Sequence, residues 1–160
     1  MNQEKKNHIL KNLGRTLPVP ERYIYSKLGN ELTLIGTKEC NLKCVHCYDK
    51  SNLSKLCDNE LNLEEIKKLY LFLREIGVNK VRLTGGEIIF EKDFLDILTT
   101  FSDFKIILCT NGKELKKFLP KIRNLMLKDF SIHISLDGLE SHNKIRKGSD
   151  YKQILNLIRE

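Results

Sequence analysis

Three cysteines fall within eight residues, in the run Cys40-Asn41-Leu42-Lys43-Cys44-Val45-His46-Cys47. A closed tetrahedral metal site wants four ligands, and this stretch supplies three thiols at close range. Structural zinc is the plainer chemistry. His46, between Cys44 and Cys47, is expected to point elsewhere. Cys57 could supply a fourth ligand only by reaching across ten residues, with no Cys-x-x-Cys partner of its own. An iron–sulfur cubane accounts for the count more naturally: three thiolates hold three irons, and the remaining iron stays open to a ligand that is not protein.

The bulk composition sets the frame for that chemistry. With 160 residues, 41% hydrophobic and 31% charged, the chain can build one ordinary core and is not of a disordered class. No apolar run approaches the roughly 18 residues of a membrane span. The opening M-N-Q-E-K-K-N-H-I-L lacks a secretory apolar stretch, so a cytoplasmic location is expected. In a reducing compartment clustered thiols are metal ligands or redox groups rather than disulfides. Cys109, outside the cluster, is expected as a buried core thiol. The net charge is +7, from 28 basic and 21 acidic residues. The lysines are scattered among acids, as in E-E-I-K-K, and no arginine-rich run with interleaved aromatics occurs. This reads as a solvated basic surface rather than a nucleic-acid groove.

Residues 1–30 form a polar lead-in ending after L-P-V-P, and residues 31–160 a single core domain. Within the core a unit repeats four times: a short apolar strand, a loop of small or polar residues, then an amphipathic helix. The strands are expected at 31–37, 79–84, 105–110 and 130–136. The first helix is expected over about 62–76, capped by Asn62 with Glu65 three residues later and stopped at Gly77. A second helix is expected near 91–101 with Phe94, Leu95, Leu98 and Phe101 inward. Helical pieces broken at Pro120 follow the third strand, and a helix from about Ser149 follows the fourth. Alternation of this kind predicts βαβ units and a parallel sheet.

The polar residues gather where each strand ends, in T-K-E-C, T-G-G-E, T-N-G and S-L-D-G. Parallel sheets and barrels place their sites at the carboxyl ends of strands, so four such ends from one sheet would surround one spot. On the fourth strand Ser131, His133 and Ser135 alternate with apolar residues. That polar face suits either a lumen holding a polar ligand or a wet edge strand.

The spacing Cys40-x-x-x-Cys44-x-x-Cys47 resembles the signature of the radical S-adenosylmethionine enzymes. The flanks C-N-L-K-C-V-H-C-Y look like the branch that modifies peptides and proteins and carries later cysteine-rich (SPASM) domains. Thr84-Gly85-Gly86-Glu87 resembles the family's glycine–glycine–glutamate motif, Thr110-Asn111-Gly112 a triplet of that branch, and Ser135-Leu136-Asp137-Gly138 with His142 and Arg146 its fourth-strand motif. The resemblance implies a parallel-sheet partial (β/α) barrel, here with about four strand–helix units against about six in the family. It implies a 4Fe–4S cluster on Cys40, Cys44 and Cys47, with S-adenosylmethionine on the open iron. Gly85, Gly86 and Glu87 would meet the amino end of S-adenosylmethionine, the carboxylate suiting an ammonium. His46 would lie near the adenine, Asn111 in the same cofactor site, Ser135 on the ribose, and Arg146 on the carboxylate or ribose. Asp137 and His142 would support the loop. One electron, from a donor such as flavodoxin or ferredoxin, would release a 5′-deoxyadenosyl radical that takes hydrogen from a peptide or protein substrate.

Ile88 stands where that motif usually ends in proline, and no later cysteine-rich segment follows. A fourth strand with nothing beyond it leaves an unpaired edge and an apolar flank. A fragment of a longer chain, a decayed gene product and a split enzyme completed by a partner chain all fit. The alternative to an enzyme is a truncated, non-catalytic module that binds iron–sulfur or S-adenosylmethionine. A zinc protein binding nucleic acid is the third reading.

Overall fold

The computed structural model describes residues 31–47 and 61–160; the lead-in segment and Cys57 lie outside them. Four strands, β1 (Glu31–Thr37), β2 (Lys80–Gly85), β3 (Lys105–Thr110) and β4 (Asp129–Ile134), form one parallel sheet in the order β1-β2-β3-β4. The helices are α1 (Leu63–Glu75), α2 (Phe94–Thr100), α3 (Leu115–Arg123), α4 (Glu140–Ile145) and α5 (Tyr151–Arg159), with a 3-10 turn over Ile88–Phe90. Strand order that follows chain order means each crossover steps the same way, with no reversal of the doubly wound kind. The helices therefore collect on one face, and the sheet is the parallel one that the alternation predicts, of the partial (β/α) barrel type that the resemblance implies.

The two faces differ as that winding requires. Leu32, Leu34, Val81, Leu83, Ile106 and Leu108 point to the helices and are at most 2% exposed. They join Ile66, Leu69 and Leu73 of α1 and Phe94, Ile97 and Leu98 of α2 in one core. The alternate residues, among them Thr33, Arg82, Thr84, Cys109 and Ser131, are half-buried on the concave face. Period-two alternation thus separates packing from chemistry.

Local signals fix α1 as its sequence predicts. Asn62 Oδ1 accepts from the Glu65 N–H at 3.0 Å, and Glu65 Oε2 accepts from the Asn62 N–H at 2.9 Å. Gly77 leaves the helix at φ 78°. Four elements differ from expectation, one of them α4, which forms ahead of the helix expected from about Ser149. The second helix is shorter, and its inward stripe is Phe94, Ile97, Leu98 and Phe101, with Leu95 half-buried. Those four stand at i, i+3, i+4 and i+7, the spacing one helical face requires. α3 runs through Pro120 instead of breaking there. Pro120 and Lys116 are both exposed, so the proline sits on the solvent side of the helix, while Leu115 and Ile122 anchor it from below. β4 stops at Ile134 rather than 136, because β3 ends at Thr110 and its carbonyl takes the last bond from Ser135 N, at 3.0 Å. Among the described residues β4 is an edge, with His133 exposed.

Candidate functional site

The chain leaving β1 is pulled across the end of β2. Gly86 N donates to the Thr37 carbonyl at 2.8 Å, and Glu87 N to the Glu39 carbonyl at 2.7 Å. A Cβ on Gly85 would stand 2.4 Å from the Thr37 oxygen, and one on Gly86 2.3 Å from the Glu39 oxygen. The two glycines are therefore demanded first by the backbone that enters the cysteine loop. Ile88, in the place of the expected proline, is fully buried, and its Cδ1 lies 2.3 Å from where a Cβ on Gly36 would be. Its side chain thus takes up the space Gly36 leaves open in β1.

The cysteine loop is held on its far side by the segment between α4 and α5. Lys43 N donates to the Lys147 carbonyl at 3.0 Å and Val45 N to the Ile145 carbonyl at 2.8 Å. The sums of the paired numbers are equal, which is antiparallel pairing, so residues opposite one another share a face. Cys44 and Arg146 turn inward, where both line one cavity, and Lys43 and Lys147 turn outward, where both are exposed. This two-bond strap ties the first and fourth units together over the strand ends.

The cavity has a volume of about 380 Å³. Cys40, Cys44, Cys47, His46, Gly85, Gly86, Asn111, Ser135 and Arg146 all line it. Every sequence-predicted site residue but Glu87 thus meets at one place. Glu87 is 2% exposed, and its carboxylate accepts from Thr110 Oγ1 at 2.8 Å and from Asn111 N at 2.7 Å. Contrary to expectation, that carboxylate lies under the floor of the cavity and fixes the end of β3. Burial holds its pKa above the usual carboxylate range, against the pull of the Asn111 N–H, the Thr110 hydroxyl and the Ile89 N–H.

Arg146 is itself positioned. Its Nε is 2.5 Å from Asp137 Oδ2, and His46 Nε2 lies 3.8 Å from the same oxygen at the cavity mouth. Burial opposes ionisation of Asp137, but the Arg146 guanidinium outweighs it and lowers the Asp137 pKa. His142 is fully buried away from the cavity, its Nδ1 accepting from Asp137 N at 3.3 Å and its Nε2 2.9 Å from Ser149 Oγ. Burial first, then Arg146, lowers its pKa. It buttresses the loop, as the sequence suggests. Cys109 corrects another expectation: it is half-buried, lines the cavity, and has its sulfur 3.5 Å from an Arg82 guanidinium nitrogen. Its odd register on β3 puts it on the concave face.

The donor set can be tested for fit to a cubane. Among the described residues no three His, Cys, Asp or Glu side chains converge to hold a single ion. A cubane takes each thiolate at a different corner and needs three thiols around a cavity, as here. Asn111 Nδ2 donates to Asn41 Oδ1 at 2.9 Å and stands 4.0 Å from Cys40 Sγ. Asn41 Nδ2, next to that cysteine, is buried without an acceptor among the described residues. A buried amide donor beside a ligand cysteine suits a group bearing sulfide acceptors. The residues fit. Burial raises the Cys40 pKa from its ordinary value, which a bound metal would reverse. Sequence reasoning missed Asn41, whose place beside Cys40 was the available signal, and the strap, for which the sequence carries none.

The chain is similar to known proteins. The family profile described as the Radical SAM superfamily matches residues 34–160. A probable GTP 3′,8-cyclase of Archaeoglobus fulgidus is 31% identical over 137 residues, covering 84% of this chain and 45% of that protein. A GTP 3′,8-cyclase of Alkaliphilus metalliredigens is 33% identical over 138 residues, covering 82% and 42%. The chain thus spans less than half the length of these curated relatives. The crystal structure of Streptococcus suis SuiB bound to S-adenosylmethionine superposes with a TM-score of 0.65 at 20% identity, over 97% of this chain and 33% of that one, a likeness of fold. No described helix is long and apolar enough to cross a membrane.

Proposed function

The chain belongs to the Radical SAM superfamily, and from that premise we propose that it is the S-adenosylmethionine-cleaving core of a radical enzyme. Its cofactors are those of the family, a 4Fe–4S cluster and S-adenosylmethionine. When bound, they supply one-electron cleavage of a sulfonium and hydrogen abstraction from a substrate. The reading is carried by one observation: the three thiols and the polar groups of the strand ends line the same cavity.

Cys40, Cys44 and Cys47 would hold the cluster. Gly85 and Gly86 bring bare backbone to the cavity wall, where nothing larger than hydrogen keeps a ligand away. Arg146, oriented by Asp137, offers its guanidinium to a carboxylate or ribose. Ser135 and Asn111 offer neutral hydrogen bonds, and His46 at the mouth offers a flat ring beside the adenine. Glu87 acts through Asn111, whose backbone it fixes. The strap over the strand ends keeps water from the reacting bond.

Two substrate classes have separate support. The flanks of the cysteine loop favour a peptide or protein, whereas the curated relatives are GTP 3′,8-cyclases and favour a guanine nucleotide. Anaerobic reconstitution with iron and sulfide, then reduction with S-adenosylmethionine present, tests the core reading. Release of 5′-deoxyadenosine supports it, and stimulation by GTP or by a peptide library assigns the substrate class. A cluster that binds S-adenosylmethionine without cleaving it would make the chain a binding module or a subunit awaiting a partner. Zinc at one per chain with no iron uptake would defeat every form of the reading.

A further inference from the structure

At 0% exposure, His142 is the most buried ionisable side chain among the described residues. Its ring joins the two ends of the segment that carries the strap. That segment, from Asp137 to Ser149, contains α4 and the two carbonyls, Ile145 and Lys147, that hold the cysteine loop. His142 Nδ1 lies 3.3 Å from Asp137 N at its start, and Nε2 lies 2.9 Å from Ser149 Oγ at its end. The His142 carbonyl also accepts from Arg146 N at 2.7 Å, and Asp137 grips the Arg146 side chain. One imidazole thus closes the loop that aims Arg146 and presents the strap.

These partners fix where the ring carries its proton. A backbone N–H can only donate, so Nδ1 is the bare, accepting nitrogen, and Nε2–H faces the Ser149 hydroxyl. The imidazolium would set a second N–H against the Asp137 N–H, donor against donor, in a place closed to water. The charged groups around the ring do not remove that conflict. Burial opposes the charge most and Arg146 opposes it next, whereas Asp137 and Asp150, the latter at the start of α5, favour it. From the cysteine loop, His46 approaches the same network at Asp137 Oδ2.

We propose that His142 is the positioning residue that clasps the strap shut while its ring is neutral, and that one proton taken up from solvent at Nδ1 opens it. The proton breaks the Asp137 N–H bond, and no electron moves. Release of Asp137 frees the Arg146 side chain, and the loop between Asp137 and Ser149 loosens its hold on Lys43 N and Val45 N. The cavity is then closed at neutral pH and opens in acid. The sign follows from linkage: the ring is harder to protonate in the closed form than in the open one, so closure is complete above the ordinary histidine value of 6.5 and weakens as pH falls below it. The bearing on S-adenosylmethionine, through Arg146, rests on the function proposed above, whereas closure of the strap does not.

The test follows hydrogen exchange at the Lys43 and Val45 amides of the full chain, with and without a reconstituted cluster. Rates are expressed as protection, so the intrinsic pH dependence of exchange cancels. Neither turnover nor cofactor is needed, and failure of the function proposed above leaves the measurement intact. As pH falls below the ordinary histidine value, protection of both amides should drop about tenfold per pH unit, the slope for one proton bound on opening. The amides of β2, in the centre of the sheet, should keep theirs. H142N retains an acceptor where Nδ1 stands but takes no proton there, so its strap should match the wild type at neutral pH and stay protected in acid. H142Q retains only the far donor and should leave the strap weakly protected at every pH. Nitrogen NMR of the wild-type histidine rings should show Nδ1 bare and Nε2 protonated at neutral pH. A proton on Nδ1 at neutral pH would overturn the proposal, as would wild-type strap protection that ignores pH. So would the same acid loss in H142N, which would assign the proton to another group, or a parallel loss in β2, which would make the opening global unfolding.

Discussion

The two ends of one sheet make instructive opposites. At the amino ends of the strands a cavity of about 490 Å³ is lined by Glu31, Lys80, Lys105 and Asp129 among others. Their charges are matched across the sheet: Glu31 with Lys80 and, at 2.8 Å, with Arg82, and Lys105 with Asp129 at 3.3 Å. At the carboxyl ends the cavity is smaller, about 380 Å³, yet it is lined by thiols and bare glycine backbone, and beside Cys40 the Asn41 amide is a buried donor without an acceptor among the described residues. Size does not separate the two. What separates them is whether the polar groups have already satisfied one another. A layer of closed ion pairs is a plug, and a ring of open donors and thiols is a site.

The largest effect expected from that contrast is all-or-none. C44A should abolish cluster incorporation, read as iron content and visible absorption after reconstitution, while the far-UV spectrum stays folded. Full iron content in this variant would break the assignment of the carboxyl end. Next comes G86A. A methyl 2.3 Å from the Glu39 carbonyl oxygen must push backbone rather than a flexible side chain. The cost should reach about 3 kcal/mol in urea unfolding, the upper part of the overpacking range, and iron uptake should fall with it because the cysteine loop is displaced.

Glu87 sharpens the comparison, since it belongs to the carboxyl end but is closed like the amino end. E87A should cost about 1–3 kcal/mol by leaving the Thr110 hydroxyl and the Asn111 N–H without an acceptor. Its titration has a definite sign. Burial raises the folded pKa above the unfolded value, so the folded state keeps a proton that the unfolded chain releases. Stability is then complete below the ordinary glutamate pKa and declines as pH rises through the raised one. Urea midpoints over that window should fall with pH in the wild type, and the slope should flatten in E87Q.

Much of this was legible in the sequence, for reasons that can be traced residue by residue. Asn62, Glu65 and Gly77 act within a few positions of each other, so α1 reads directly from local chemistry. The apolar alternation of β1 to β3 reads equally well. Glu87 illustrates what does not. A carboxylate beside two glycines suggests an ammonium partner, whereas two of its actual partners are supplied 23 and 24 residues away. Pro120 misled because the buried Leu115 and Ile122 hold the helix on either side of it while the proline itself lies on the exposed face. The strap is the extreme case: backbone pairs between 43 and 147 leave no trace in side-chain pattern, and only the closure of the fourth unit over the first creates them.

Asn111 tests the open ring more finely. Its amide stands near Cys40 Sγ and orients Asn41. Hydrogen bonds to cluster sulfur stabilise the more negative, reduced state. N111A should keep its iron and shift the midpoint potential of the reconstituted cluster downward, each tenfold loss in the reduction equilibrium being 59 mV for one electron. An unchanged potential would leave Asn111 a purely structural residue.

The smallest effect belongs to the amino end, and its smallness is the point. Glu31 has its pKa lowered chiefly by the Lys80 hydrogen bond, with Arg82 adding to it. The side chain is 26% exposed, so solvent screens much of that attraction. E31Q should therefore change urea stability by under about 1 kcal/mol at neutral pH. The depressed pKa places that contribution above the ordinary glutamate value and removes it as pH falls through the folded one. Iron uptake and binding of S-adenosylmethionine should not move, because the substitution sits three alternate residues away from the strand ends on β1. If E31Q instead altered cofactor binding, the paired layer would be acting on the site through the concave face, by way of Arg82 and the Cys109 thiol 3.5 Å beyond it. The two ends of the sheet would then be one functional column.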